Sequence, residues 1–580
     1  MRGSALDRIP GAYPLLAAAV ALARRPALEW QASPLARALG PRPDGLAADP
    51  RDLRPVDPEA GRRILAGGFV FQGETLAPGP RGDPWDRPSP SRRFAEALHG
   101  FGWLKDLTVL GDAGAWEGLR LTLAWARLFG RWNSFAWTGE VLERRVFNLA
   151  CAIRALTAPA SDAEAAQIAG DLARQAAALL SAQAGPARAA ERAVAAAVAG
   201  AALGGPAGEQ LLDRALGRLD RALVQTVTPD GGHASRSPQA ALELFFDLTT
   251  LDDALVQRGL AAPEEMMRAL DRLGAAVRFF TLADGGLASF QGGASLAPAY
   301  VAAARAQDGL GERATPTARN GYQRMDSAAL QVIVDTAAPA AGPWSVAAAA
   351  QPLALAVLAG GKPLIVNSGW SPGAHAPQAL RLVDAASTAA VGEAACGAPL
   401  SGYAAEVLGP RLREAGDGFT AHRHEEPGAV LLELGHDGWA RRFGFRHERR
   451  LYLDRASGEL RGEDRLTPLG ARAARDGRRF VPFAVRFHLP PQVSALIAQD
   501  RKSVLLKVEG DEAGWWLRND AADVGLDAST QLVDGQVRHG QQIVLRGQAR
   551  LDAGARVRWK LSAAHSLSEA PRVDAGQGAD

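Results

Sequence analysis

A polar loop at residues 229–238, PDGGHASRSP, places a histidine three positions before an arginine. His233 can transfer a proton near neutral pH, and Arg236 can hold a carboxylate through two parallel N–H groups. The loop also has the composition of a tight turn in which Asp230 and Ser237 cap neighbouring helices. Two interpretations therefore stand: a loop for proton transfer and carboxylate binding, or a structural turn.

A second candidate is the segment NGYQR at residues 320–324. On a strand, Tyr322 and Arg324 point to the same face because side chains alternate. A tyrosine acts as a general acid or base when a nearby cation lowers its pKa, so this pair predicts catalysis by Tyr322 beside an anion-binding Arg324. The alternative is a half-buried tyrosine at the start of an edge strand.

A pair of histidines, His422 and His424, has the spacing of two metal ligands on one face of a strand. A zinc site needs at least a third protein ligand, and the sequence offers no clear one nearby. We therefore predict no metal and no other cofactor.

Further along, the segment HDGW at 436–439 predicts a hairpin turn that brings His436 close to a cleft. The run RRFGFRHERR at 441–450 interleaves arginine with aromatic residues, so Arg446 is a candidate for binding an anionic polymer. A strand with one solvated and one buried face explains the run as well.

The elements that must position these residues change in character near residue 320. Before it, apolar residues recur at helical spacing, and helices on short loops predict antiparallel helix pairs. One helix is expected from about Asp162 to Ser181, opened by a capping box of Ser161 and Glu164. After residue 320 apolar and polar residues alternate with a period of two, which predicts a large antiparallel β-sandwich. Other predicted elements are helices at 189–203 and 209–226 and strands at 328–336, 429–434, 439–445 and 449–454.

Composition narrows the class of protein. The 580 residues include 65 Lys and Arg against 63 Asp and Glu, a net charge of +2, so no nucleic-acid partner is expected. The apolar run at 15–23 is too short to span a bilayer, and arginines and a proline follow it where a signal peptide has small residues. We expect an ordinary helix there and no membrane span. The two cysteines, Cys151 and Cys396, fit no metal-ligand spacing.

Several segments together resemble the heparinase II/III-like family, in the form common in alphaproteobacteria. They are PDGGHASRSP at 229–238, DGGLASFQGG at 284–293, NGYQRMDSAALQVIVDTAAP at 320–339, GKPLIVNSG at 361–369, HDGWARRFGFRHERRLYLDRASGELRGEDRL at 436–466, FAVRFHLPP at 483–491 and ARVRWKL at 555–561. The resemblance implies an α+β multidomain fold, an N-terminal (α/α) toroid followed by a C-terminal antiparallel β-sandwich. It also implies lyase chemistry on uronic-acid polymers, in which a base removes the proton beside a carboxylate whose charge is neutralised.

The sequence departs from this family where catalysis is concerned. Catalytic relatives carry an Asn-His pair on a toroid helix, but residues 187–203 are here almost entirely Ala, Val and Arg. The Glu and Tyr of the family's DG motif read as Ser235 and Ala240, and the two zinc-binding histidine positions, near 349 and 386, are alanine. The resemblance therefore carries over neither the zinc site nor the usual acid–base pair.

The remaining candidates are Tyr322 and His233 as bases, with Arg236, Arg324, His436 and Arg446 binding substrate. Together with the resemblance, they predict a metal-independent, lyase-like protein of the cell envelope, with the cytoplasm left open, that cleaves acidic poly- or oligosaccharides by β-elimination. The alternative is a non-catalytic glycan-binding or scaffold protein on the same fold, which leaves enzymatic activity undecided. A hydrolase with paired carboxylates in the toroid is the third hypothesis, although Asp230 has no identifiable partner.

The predicted domain organisation has four parts. They are an N-terminal helix and irregular arm at 1–60, a helical toroid at 61–317, the β-sandwich at 318–562 and a flexible tail at 563–580.

Overall fold

The computed structural model describes residues 12–33, 35–36, 42–137, 139–181, 185–307, 316–372, 377–413, 416–470, 479–511, 513–533 and 535–564. Helices predominate up to Arg305, and strands predominate from Ala318 onward. This order confirms the predicted α+β fold, a helical half followed by an antiparallel β half. None of the helices in these ranges combines enough length with enough apolar character to cross a bilayer.

The helices of the first half are joined mostly by short loops, and one small hairpin interrupts them. The elements are α1 (Ala12–Gln31), α2 (Pro58–Leu65), β1 (Phe69–Phe71), β2 (Glu74–Leu76), α3 (Arg92–His99), α4 (Leu104–Thr108), α5 (Asp112–Phe129), α6 (Gly139–Thr157), α7 (Asp162–Ser181), α8 (Ala189–Ala202), α9 (Gly205–Thr226), α10 (Pro238–Gln257), α11 (Glu264–Phe280) and α12 (Pro298–Arg305).

The start of α7 confirms the predicted capping box. The Ser161 N–H donates to the Glu164 carboxylate at 2.9 Å, and the Glu164 N–H donates to Ser161 Oγ at 3.4 Å. Each side chain thereby satisfies a main-chain N–H group that the first helical turn leaves without a partner.

Helix α8 lies at the centre of the helical half and packs against α6, α7, α9 and α10. Nearly all its side chains are alanine or valine, and the residues from Ala193 to Ala202 are almost completely buried. Small side chains let four helices approach one axis; a Cβ at Gly200, for example, would lie only 2.6 Å from the main-chain nitrogen of Leu212. The alanine-rich composition of this segment is thus a packing requirement of the central helix.

The second half contains three larger antiparallel sheets and a few short elements. The elements are β3 (Ala318–Arg319), β4 (Tyr322–Asp326), β5 (Leu330–Asp335), β6 (Leu355–Ala359), β7 (Lys362–Ile365), β8 (Ala389–Val391), β9 (Ala398–Pro399), α13 (Gly402–Leu408), β10 (Leu412–Arg413), β11 (Thr420–Glu426), β12 (Ala429–Trp439), α14 (Ala440–Phe443), β13 (Phe445–Asp454), β14 (Glu459–Pro468), β15 (Phe480–His488), β16 (Val493–Ile497), β17 (Ser503–Val508), β18 (Gly514–Asn519), β19 (Asp523–Val533), β20 (Gln536–Arg550) and β21 (Ala555–Ala564).

The sheets are ordered β11-β12-β13-β14-β21-β18-β17-β16, β19-β20-β15-β8 and β3-β4-β5-β6-β7. Their inner faces share one apolar core, to which Val332, Leu451, Val485 and Leu545 contribute. Strand β13 shows the alternation that produces this core. Leu451 and Leu453 are buried, whereas Arg450, which precedes Leu451 and points to the other face, is exposed. The part of the arginine-rich run that lies in β13, residues 445–450, therefore alternates between a buried and a solvated face, as one of its two interpretations predicted.

One predicted strand is wrong. Residues 439–445 form the end of β12, the single turn α14 and the first residue of β13, with Gly444 left-handed at φ 76°. The aromatic residues there suggested a strand, but the glycine reverses the chain between two longer strands. Of the predicted tail at 563–580, Ala563 and Ala564 belong to β21, and residues 565–580 lie outside the described residues.

Candidate functional site

The two halves meet where the loop at 227–237 packs against residues 319–338, a region we call the seam. Asn320 joins them: its N–H donates to Asp230 Oδ2 at 2.6 Å, and its side-chain amide donates to the His233 carbonyl at 3.1 Å. Gly232 has φ of 125°, and a Cβ there would lie 2.5 Å from Asn320 Nδ2. Glycine is required because the loop must pass this close to the β half.

Arg236 lies in the seam and is 8% exposed. Its own backbone is left-handed at φ 63°, an uncommon conformation for a residue with a Cβ. Its guanidinium uses all five N–H groups, donating to Asp335 Oδ1 at 2.6 Å and to the main-chain carbonyls of Asn320, Gly321, Ala337 and Ala338. Arg236 thus joins the two halves, and no N–H group is left over for a substrate carboxylate.

Tyr322, at the start of β4, is completely buried. Its hydroxyl donates to the Arg236 carbonyl at 2.8 Å, and its ring packs edge-on against Phe280 and tilted against Phe290. Burial, with a further contribution from Asp335, raises the pKa of Tyr322 well above its ordinary value. A catalytic base needs the opposite shift, because only the phenolate accepts a proton.

His233 is 3% exposed and has a partner at each ring nitrogen. The Ser235 N–H donates to Nδ1 at 3.1 Å, so the neutral ring carries its proton on Nε2, 3.2 Å from Glu191 Oε1. Ser235 Oγ lies 2.6 Å from Nδ1. Trp344 packs edge-on against the ring, with 5.6 Å between ring centres.

His233 belongs to a cluster with Glu143, Glu191 and Arg188, in which the histidine and both glutamates are buried and Arg188 is partly exposed. Arg188 contacts both carboxylates, Glu143 by a close hydrogen bond and Glu191 at 3.7 Å. Although burial opposes ionisation, Arg188 and His233 lower the pKa of Glu191 to about 2. Burial raises the pKa of Glu143 to about 7 in spite of Arg188. These two glutamates were not among the residues predicted from the sequence, where each is simply an acidic residue directly followed by arginine.

Arg324 approaches the same end of α11 as Tyr322 but binds other groups. Its Nε donates to the Asp326 carboxylate at 2.9 Å, and Nη1 donates to the carbonyls of Phe279 at 3.1 Å and Thr281 at 3.3 Å. The strand thus points Tyr322 and Arg324 towards one helix end, but Arg324 serves there as a cap of α11.

His436 and Arg446 lie in the β half, in contacts that do not include the seam residues. His436 is fully buried, and its Nε2 is 3.1 Å from His447 Nδ1; His447 Nε2 in turn is 2.8 Å from Asp464 Oδ1. Arg446 donates to Asp437 Oδ1 at 2.6 Å. The structure therefore brings His233, Arg236 and Tyr322 together in the seam, places Arg324 beside them, and separates His436 and Arg446 from them.

Over the described ranges, no three His, Cys, Asp or Glu side chains converge in a way that could hold an ion. His422 and His424 lie on the exposed edge strand β11, and His424 is 3.5 Å from Glu433.

Comparisons with known proteins agree on the fold. Residues 311–560 match the family model described as "Heparinase II/III-like, C-terminal". FtsZ-localized protein C of Caulobacter vibrioides (strain NA1000 / CB15N) is 50% identical over 527 residues, covering 90% of this chain and 91% of that protein. The crystal structure of heparinase III superposes with a TM-score of 0.69 at 14% identity, covering 98% and 93% of the two chains. The heparan sulfate lyase HepC from Pedobacter heparinus gives a TM-score of 0.53 at 14% identity, covering 95% and 89%.

Proposed function

Because the chain belongs to the heparinase II/III-like family, we propose that it uses the lyase fold without the lyase reaction, as a binding or scaffold protein that localises with FtsZ. One observation carries the proposal: Tyr322, Arg236 and His233, the seam groups suited to β-elimination, are all buried and already bonded to other parts of the chain. A fold does not determine a function, so the state of these groups weighs more than the family.

β-Elimination needs a base that reaches a carbon-bound proton and a cation that neutralises the neighbouring carboxylate. The Tyr322 hydroxyl donates to a main-chain carbonyl and has a raised pKa, so it is a poor base. Arg236 is paired with Asp335, and withdrawing it would leave a buried carboxylate without its counter-ion, which costs several kcal/mol (about 3–5). Binding a uronate here would therefore require disrupting the contact between the halves.

The proposed location comes from the relative in Caulobacter vibrioides, whose name describes it as localised to FtsZ. Identity of 50% along nearly the whole of both chains supports a shared location. An acidic glycan as ligand is supported only by the similarity of fold to heparinase III. The cell envelope, expected from the sequence, is the competing location.

An absorbance assay tests the catalytic half of the proposal. The full chain is incubated with a panel of acidic polysaccharides, with a heparinase as positive control, and the ultraviolet absorbance of unsaturated uronate is followed. We expect no increase for the wild-type chain. An increase that disappears in His233→Ala or Tyr322→Phe would establish the lyase instead.

Imaging tests the location. A fluorescent fusion of the full chain is expressed in Caulobacter vibrioides beside labelled FtsZ, before and after FtsZ depletion. We expect the fusion to coincide with FtsZ and to disperse when FtsZ is removed. A pattern around the whole envelope that ignores FtsZ would contradict the proposal.

One observation favours the hydrolase candidate enough to test it. Glu143 and Glu191 are neighbouring carboxyls whose pKa values are displaced in opposite directions, to about 7 and about 2. Opposite displacements distinguish the acid from the base in glycosidases, but both carboxyls are buried and paired with Arg188, so the hydrolase is the weaker candidate. Release of reducing ends without new ultraviolet absorbance, abolished by Glu143→Gln, would replace the non-catalytic proposal with a hydrolase.

A further inference from the structure

A cavity of about 720 Å³ opens in the helical half, where the loop before α3, one face of α3, the end of α5 and the loop after it meet. Its volume is in the range that holds a ligand of drug size. Its walls are aromatic: Trp85, Phe129 and Phe135 pack edge-on against the ring of His99, and Trp132 also lines the cavity. We call it the aromatic cavity. Its lining includes none of the seam residues described above.

Arginines form the rim of the aromatic cavity, and its lining contains no Asp or Glu. Arg87 lies 3.7 Å from Asp86, and Arg92 lies 3.1 Å from Glu96, both on the exposed side. Arg131 is exposed and has no ion pair within the part of the chain that the structure describes. The rim therefore has at least one cation available to an anionic ligand.

A second positive charge lies beneath the cavity. Arg145 of α6 is fully buried, and its guanidinium donates to three neutral acceptors: Gln175 Oε1 and the carbonyls of His99 and Ala136. No carboxylate pairs with it among the described residues. Burial lowers the pKa of Arg145 to about 9, which still leaves it charged at neutral pH. A buried cation without a counter-ion is costly, and an anion bound nearby would compensate it.

Two residues that line the cavity, His99 and Trp132, each carry an N–H group that has no acceptor among the described residues. The Trp125 indole donates to His99 Nδ1 at 3.1 Å, so the neutral His99 ring carries its proton on Nε2, which has no partner within the described ranges. Burial and the Arg145 charge lower the pKa of His99 to about 3, so the ring stays neutral. The indole N–H of Trp132 is unpartnered as well, and unlike His99 Nε2 it belongs to the buried atoms that lack a partner within the described part of the chain. Unsatisfied buried donors are uncommon in folded proteins and call for an explanation.

The geometry points to the aromatic cavity as a binding site for a small anion carried on a ring that has an apolar face. The ring packs against the aromatic walls, and its phosphate or carboxylate accepts hydrogen bonds from the Arg131 fork and from the His99 and Trp132 N–H groups. A nucleoside monophosphate and a sugar acid both have this chemistry. The inference does not depend on the proposed function, because it concerns a different part of the molecule.

Calorimetric titration of the full chain tests the inference with two probes, adenosine monophosphate and glucuronate. We expect saturable binding of at least one probe. The probe that binds shows whether the cavity takes a phosphate on a nucleoside or a carboxylate on a sugar. In Arg131→Gln the affinity should fall about tenfold, the value of one charge-assisted contact. Arg127→Gln is the matched control, since Arg127 is exposed on α5 four residues earlier and does not line the cavity.

Trp132→Phe gives a second measurement, because it keeps an aromatic ring and removes the unpartnered N–H group. We expect weaker binding with an unchanged melting temperature. Absence of binding by both probes at millimolar concentration would overturn the inference. So would equal affinity in the wild type, Arg131→Gln and Arg127→Gln, which would show that the anion binds elsewhere. Neither result bears on the absorbance assay or on FtsZ localisation.

Discussion

The Tyr322 hydroxyl donates a hydrogen bond to the Arg236 carbonyl at 2.8 Å, and the Arg236 guanidinium lies 4.7 Å from the centre of the same phenol ring. Tyr322 belongs to the β half and Arg236 to the helical half. The Tyr322 hydroxyl therefore binds the main chain of Arg236, while the Tyr322 ring packs against the Arg236 guanidinium. Two side chains with the chemistry of a lyase are thereby engaged in joining the halves. This relationship leads to predictions about stability that differ from those of an active site.

Tyr322→Phe should destabilise the protein. Removing the hydroxyl leaves the buried Arg236 carbonyl without this donor, at a cost of about 1–2 kcal/mol in the free energy of unfolding. Urea denaturation measures it. Tyr452→Phe is the control, since Tyr452 is half-buried on the outer face of β13 and its change should stay within about 0.5 kcal/mol. Equal effects in the two variants would contradict a structural role for the Tyr322 hydroxyl.

Asp335→Asn should cost more, about 3–5 kcal/mol, because it leaves the buried Arg236 without its counter-ion. A double-mutant cycle with Arg236→Met separates the pair from its surroundings, and the double variant should lose less than the sum of the two single variants. Asp326→Asn serves as control, because its ion pair with Arg324 is half-exposed and should be worth less than about 1 kcal/mol. Strict additivity would show that Arg236 and Asp335 do not depend on each other.

The fold was largely predictable from the sequence, and the site was not. Period-two alternation around Arg450 and the Ser161 capping box are local signals, and both correspond to what is observed. The partners of Arg236 lie 84 to 102 residues away in sequence. A motif can suggest that an arginine binds a carboxylate, but only the packing of the two halves makes that carboxylate Asp335. Glu191 was missed for the same reason, because its partner His233 is 42 residues away.

Stability should fall as the pH drops below the ordinary histidine pKa of about 6.5. Burial lowers the pKa of His488 to about 4, so between pH 6.5 and 4 the unfolded chain takes up a proton that the folded ring does not. This difference destabilises the fold by about 3 kcal/mol at pH 4. His488→Gln should remove that part of the pH dependence, as measured by urea denaturation at several pH values. His422→Gln, on an exposed strand, should leave the profile unchanged; a wild-type profile in the His488 variant would contradict the assignment.

Chemical modification of His233 tests whether the seam is closed in solution. Its ring is 3% exposed and covered by Trp344, so diethyl pyrocarbonate should modify it far more slowly than the exposed His422, as measured by peptide mass spectrometry. Trp344→Ala should uncover the ring and raise its rate at least tenfold, whereas Trp516→Ala, on the outer sheet face, should not. If His233 in the wild-type chain reacts as fast as His422, the halves separate readily in solution. The burial of the seam groups would then no longer argue against catalysis, and the lyase would become the better proposal.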